Sequence, residues 1–149
     1  MTNLQSDRDT EIVDELRCDE APVAAGANLF NGGAVALDAG GFAVPAGPGP
    51  KHFRGIADES VDNSAGGNGD VTVHVIAPDG AYFDGTGFGQ GDVGQPAWFS
   101  DDHTVTKSAG TNTYAGRIRS VDSAGILVDL RGAYVEPALP VTSAPTTGA

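Results

Sequence analysis

Hydrophobic positions along this chain recur at every second residue over short runs, and turn-forming residues separate the runs. Val71, Val73 and Val75 in "VTVHVIA" keep strict period two, and Ile126, Val128 and Leu130 repeat the pattern against Leu127 and Asp129. Such alternation predicts strands with one buried face. In "NLFNGGAVALDAGGFAVPAG" the clusters Asn31-Gly32-Gly33 and Asp38-Ala39-Gly40-Gly41 supply the positive φ angles of hairpin turns, which leaves 34–37 and 42–44 as strands. Two further strand pairs are predicted around 97–106 and 114–130, the second turning at "DSAG" (122–125). The segments "GPGPK" (47–51), "SAGGNGD" (64–70), "PDG" (78–80) and "TGFGQGDVGQP" (86–96) read as connections or turns. Residues 9–17, "DTEIVDELR", place Ile12, Val13 and Leu16 on one helical face, but the same letters also suit an extended segment.

The two halves of the chain resemble each other. "VALDAGGFAVPAG" followed by "FRGIADESVDNSAGGNGDVTVHV" can be laid over "AWFSDDHTVTKSAG" followed by "YAGRIRSVDSAGILVDL". Each reads strand, acidic turn, strand, small-residue loop, a strand with an early glycine, a Ser-Val-Asp turn and a Val-rich strand. The pattern suggests pseudo-repeated hairpins in a barrel or sandwich.

Composition sharpens this picture. Glycine and proline are abundant, 22 and 9 of 149 residues, which disfavours helices and favours short strands with tight turns. The length suits one domain. The expected class is therefore all-β, a small β-barrel or sandwich with an extended N-terminal arm and a C-terminal tail.

The net charge of −12 comes from 20 acidic and 8 basic residues without a Lys/Arg cluster, so no nucleic-acid partner is expected. Seven of the acids, Asp7, Asp9, Glu11, Asp14, Glu15, Asp19 and Glu20, fall in the first 20 residues. That density predicts an arm over 1–22, ahead of a β domain over 23–135. A Pro/Thr/Ala-rich tail over 136–149 lacks the apolar residues to build a core.

Cys18 is the single cysteine, which excludes an intrachain disulfide and a Cys-rich zinc site. Neither a signal-peptide core nor a long apolar run is present in the sequence, so no membrane partner is expected, and synthesis and folding in the cytoplasm are.

The chemical candidates are few. "SDDH" offers Asp101, Asp102 and His103 as metal ligands or acid/base groups, but successive strand residues face opposite ways, and two aspartates between "AWF" and "TVT" are what a hairpin turn uses. His52, His74 and His103 share no motif, and His74 should face away from the valine face of its strand. There is no GxSxG elbow, and "GFGQGDVG" lacks the Lys-Ser/Thr ending of a phosphate loop. The reading is of a protein that is not an enzyme, with no catalytic, metal or cofactor site. A hydrolase working through Asp101 or His103 is the weaker rival. Trp98 and Phe99 either cap the core or lie in a subunit interface.

The segments "GGAVALDAGGFAVPAG", "FRGIADESVDNSAGGNGDVTVHV", "PAWFSDDHTVT" and "AGRIRSVDSAGILVDL", in this order over residues 20–132, resemble the capsid cement, or head decoration, proteins of tailed bacteriophages. The resemblance implies a compact β domain on the outer surface of the virion capsid, a homotrimer or alternatively a dimer, that bridges major capsid protein subunits without catalysis. It also implies an N-terminal segment in capsid contact. Glu11, Ile12, Val13 and Leu16, together with Trp98 and Phe99, are accordingly the candidate capsid or oligomer interface. The alternative class is a β-sandwich adhesin or glycan-binding module, which requires exposed aromatic side chains.

Overall fold

The computed structural model describes residues 2–134, and of residues 13–17 the backbone alone. The tail expected over 136–149 lies outside the described residues, as do the side chains of Val13 and Leu16. The strands are β1 (Ile12–Pro22), β2 (Asn28–Leu29), β3 (Ala34–Leu37), β4 (Ala43–Pro45), β5 (His52–Ala57), β6 (Val61–Asp62), β7 (Thr72–Phe83), β8 (Pro96–Phe99), β9 (Val105–Thr106), β10 (Thr113–Asp122) and β11 (Gly125–Asp129), followed by one helical turn, α1 (Arg131–Tyr134).

The expected all-β class is observed. One antiparallel sheet runs β4-β3-β5-β7-β11-β10-β8-β9, β1 adds to β7, and β2 pairs with β6 apart from it. Two parallel bridges curl the sheet, Val23 just beyond β1 with Ala43 of β4, and Asp84 just beyond β7 with Thr104 ahead of β9. Two small circuits result, β1-β7-β5-β3-β4 and β7-β11-β10-β8-β9, with β7 common to both. The first encloses Val23, Leu29, Val35, Ala43, Val73 and Val75. The second encloses a larger core around Phe83, Phe99, Val105, Ile118, Val128 and Leu130, which extends over Phe53 and Ile56 of β5.

The circuits repeat one plan, and the repetition in the sequence is its trace. The hairpin β3-β4, then β5, then β7 corresponds to the hairpin β8-β9, then β10, then β11, and the strand order is palindromic about the β7-β11 pair. Both hairpins meet the next strand at a register shift, between Val35 and Ala36 opposite β5 and between Tyr114 and Gly116 opposite β8. Gly55 and Gly116 occupy equivalent places there, with φ of 153° and 122°. The acidic turns match as well. Asp38 Oδ1 accepts the Gly40 N–H at 2.9 Å and Asp101 Oδ1 accepts the His103 N–H at 3.0 Å. In the two Ser-Val-Asp turns, Asp62 accepts from Ser64 at 2.9 Å and Asp122 from Ala124 at 2.8 Å. Aspartate recurs at these points because its carboxylate closes a turn onto the amide two residues ahead.

Two expectations are corrected. "PDG" does not turn: β7 runs straight through Pro78, Asp79 and Gly80. One edge of β7 pairs with β1 throughout, while the other is shared by β5 at Val75–Ile76 and β11 from Gly80 onward. Pro78 falls in the gap between these partners and opposite the register shift between Glu15 and Cys18 of β1. Its missing donor therefore costs no ladder bond.

The N-terminal segment is not a free arm either. Of the two conformations open to 9–17 the extended one is found, and β1 pairs with β7 from Ile12↔Ala81 to Pro22↔Thr72. Burial here follows period two: Ala21 and Val23 enter the core while Cys18 and Glu20 face solvent, so Glu20 is accommodated on the outer face without desolvation, and the half-buried Asp19 is paired with Arg54.

Candidate functional site

The approach to β1 lies across the turn after β2. The Arg8 N–H donates to Asn31 O at 2.8 Å, and the buried Thr10 hydroxyl donates to Gly32 O. A Cβ on Gly32 would stand 1.9 Å from Arg8 O, so only glycine lets the two segments pass. The Arg8 guanidinium reaches Asp84 Oδ1 at 3.2 Å and lies over the Phe83 ring, 6.0 Å from its centroid. A cleft of about 190 Å³ remains between this crossing segment and β5, lined by Arg8, Thr10, Ile12, Ile56 and Asp58 among others. It is too small for a typical ligand site of 300 Å³ or more.

Further back, the Leu4 N–H donates to Asp102 Oδ1 at 2.9 Å. The "SDDH" turn thereby becomes an anchor for the chain's start. Asp101 and Asp102 are 3% and 2% exposed. Contrary to the expectation that these side chains diverge, the turn gathers their ligand atoms and that of His103 within 4.8 Å of one another. Every one of the three is engaged in local bonding. His103 Nδ1 lies 3.0 Å from Asp102 Oδ1 and 3.3 Å from Asp101 Oδ1, and Asp101 closes the turn onto the His103 amide. The geometry is that of a buried turn which fastens a strand approach.

Burial pushes the Asp102 carboxyl above the usual aspartate range and Asp101 adds to the shift, while hydrogen bonds from His103 and the Leu4 amide oppose it. Lys51 sits in the same field, its ammonium pushed down by burial and supported by Asp102 and Asp38. Because folding raises the Asp102 pKa, the folded chain holds that proton more tightly than the unfolded chain. Stability from this group therefore falls as pH rises from the unfolded value near 3.8 through the raised folded value. Asp102→Asn keeps an acceptor for the Leu4 amide and removes the buried charge. We expect it to equal or exceed the parent in stability at neutral pH, by up to about 1 kcal/mol, and that advantage to shrink on acidification, where the parent's Asp102 takes up its proton. A large loss at neutral pH would show that the charge itself is needed.

The proposed interface residues part company in the structure. Glu11 is exposed and Ile12 half-buried against the larger core. Phe99 is fully buried, with Phe83 edge-on at 4.9 Å and Phe53 tilted against it at 5.2 Å, so it is a core residue and, contrary to expectation, offers no surface to an interface. Trp98, one residue earlier on β8, faces the other way and is partly exposed. It meets Tyr114 of β10 edge-on, at 6.0 Å between ring centroids. His74 is exposed as expected, 3.7 Å from Glu20 on the neighbouring strand. Tyr114, Gln95 and Lys107 around Trp98 escaped the sequence reading. The only available signal was the alignment of "AWF" with "TYAG" as partner strands.

The outer edge of β1 is the second feature of note. Among the described residues no strand pairs with it along its eleven residues. Val23 donates to Val71 O and Tyr82 donates to Glu11 O, and antiparallel alternation from either end turns the amides of Ile12, Cys18 and Glu20 outward. Asp19 is neutralised by Arg54 at 2.8 Å, whereas Glu11 and Glu20 stand on the exposed side.

No family model, no curated protein and no solved structure matches the chain. No helix among the described residues is long and apolar enough to cross a membrane.

Proposed function

We propose that the chain is a capsid decoration protein that binds the outer surface of an assembled phage head and bridges major capsid subunits. The observation that carries this reading is the open edge of β1, long, acidic and paired along its other side with β7. An open edge offers main-chain donors and acceptors to an extended partner segment, and the carboxylates beside it select a basic one. The resemblance of the sequence to cement proteins, with their N-terminal capsid contacts, points to the same end of the chain.

The mechanism is binding linkage. A protein that attaches to the assembled shell and not to its dispersed subunits stabilises the shell by mass action. An interface of about 800 Å² per partner suffices for a specific contact. A homotrimer or dimer multiplies that contact through effective concentration.

Deleting residues 1–22 would remove β1 and the bonds of Leu4, Arg8 and Thr10, so loss of binding in that variant would report unfolding. Glu20→Pro is the sharper variant. It deletes an outward amide and leaves the ladder to β7 intact. In pelleting with expanded, undecorated heads we expect its affinity to fall about tenfold, and Glu11→Lys with Glu20→Lys to weaken binding and flatten its salt dependence. Full occupancy by both variants, with folding retained, would rule the edge out.

A further inference from the structure

The exposed part of Trp98 opens into a surface hollow of about 350 Å³ bounded by Gly91, Asp92, Gln95, Pro96 and Lys107. This is the lower end of the range, roughly 300–1,000 Å³, in which small-ligand sites fall. The floor is rigid: Trp98 pairs with Tyr114 on one side and Thr106 on the other, and Tyr114 holds the indole edge-on. The rim is polar and prearranged. Lys107 Nζ donates to Gly87 O at 2.9 Å and lies 3.5 Å from both Asp92 oxygens, and Asp92 Oδ2 accepts the Gly89 amide at 2.8 Å. Neither the Trp98 indole N–H nor the Gln95 side-chain amide makes a hydrogen bond among the described residues.

An aromatic face beside unspent donors and acceptors suits a ligand with one apolar face and a hydroxylated periphery. A pyranose is such a ligand. Its axial C–H groups are weakly electropositive and meet the electron-rich face of an indole, while its hydroxyls bond at the rim. Lys107 and Asp92 already neutralise each other, and the chain carries twelve net negative charges, so an anionic sugar gains no compensating cation. From this geometry we infer a binding subsite for one neutral pyranose unit of a polysaccharide, centred on Trp98. It lies on β8, apart from the β1 edge, and stands whether or not that edge binds a capsid.

Trp98 is the chain's single tryptophan, so its emission reports this subsite alone. Titrating the full-length protein with maltohexaose, cellohexaose and an α-linked mannohexaose should give a saturable shift in emission with at least one of them. In Gln95→Ala, which keeps the fluorophore, that affinity should fall about tenfold. Trp98→Ala, followed by calorimetry, should abolish the binding heat while its far-ultraviolet circular dichroism stays that of the parent. A flat response to all three sugars would overturn the inference, as would a shift equal in Gln95→Ala, or a response confined to a sulfated or sialylated probe or to capsid protein.

Discussion

Alanine at Gly116 is expected to cost at least about 4 kcal/mol, and at Gly55 nearly as much. Each glycine has a φ in the region that side chains rarely occupy, a strain of about 1–3 kcal/mol for alanine. Each also stands against a neighbouring carbonyl, since a Cβ would lie 2.0 Å from Asp129 O at Gly116 and 2.4 Å from Ile76 O at Gly55. The obstacle in both cases is backbone in a paired strand, which cannot rotate aside as a side chain would. With total stability of about 5–15 kcal/mol for a domain, either change removes a large share of it. Gly132→Ala, whose new methyl would meet nothing within 4 Å, is the control and should change stability by less than about 0.5 kcal/mol. Urea denaturation of the three variants checks this. Comparable stabilities for Gly116→Ala and Gly132→Ala would mean that the two register shifts are not the fixed joints of the fold.

Phe99→Ala should cost about 3–5 kcal/mol, the range for deleting a buried aromatic side chain. Phe99 is where the two circuits meet, because it touches Phe53 of the first and Phe83 of the second, and Phe53 in turn stacks on Tyr134 at 5.1 Å. The transfer loss is joined by two aromatic contacts of about 0.5–1.5 kcal/mol each. Trp98→Ala, one residue away, should cost clearly less, about 1–2 kcal/mol, since its ring lies on the opposite face and is only partly buried. The pair separates a core role from an interface role. If Phe99→Ala altered self-association with little effect on monomer stability, the burial described for β8 would be wrong.

Most of the sheet could be read from the letters. The alternation of Val71, Val73 and Val75, the glycine turns and the Ser-Val-Asp repeats predicted β7, the hairpins and the doubled plan, because these signals are local and a two-residue period has one physical cause. What escaped was non-local. "PDG" carries turn chemistry, and only the change of partner from β5 to β11 explains why a strand tolerates it. The acidic start looked unable to bury itself, yet a strand needs one apolar face, and Ala21 and Val23 supply it while Glu11 and Glu20 remain outside. Phe99 and Trp98 are indistinguishable by composition. Register against Tyr114 decides which of them enters the core. At the "SDDH" turn the sequence identified the turn chemistry of Asp101, but not the distant Leu4 amide that Asp102 holds.

The claim on which the functional account depends is that the outer edge of β1 takes up an extended capsid segment. Amide hydrogen exchange, compared between the free protein and the protein bound to expanded heads, reads that edge directly. The account predicts that the outward amides of Ile12, Cys18 and Glu20 exchange freely in solution and become strongly protected on the capsid, with β8 unchanged. Saturable capsid binding that leaves these three amides as exposed as before would contradict it.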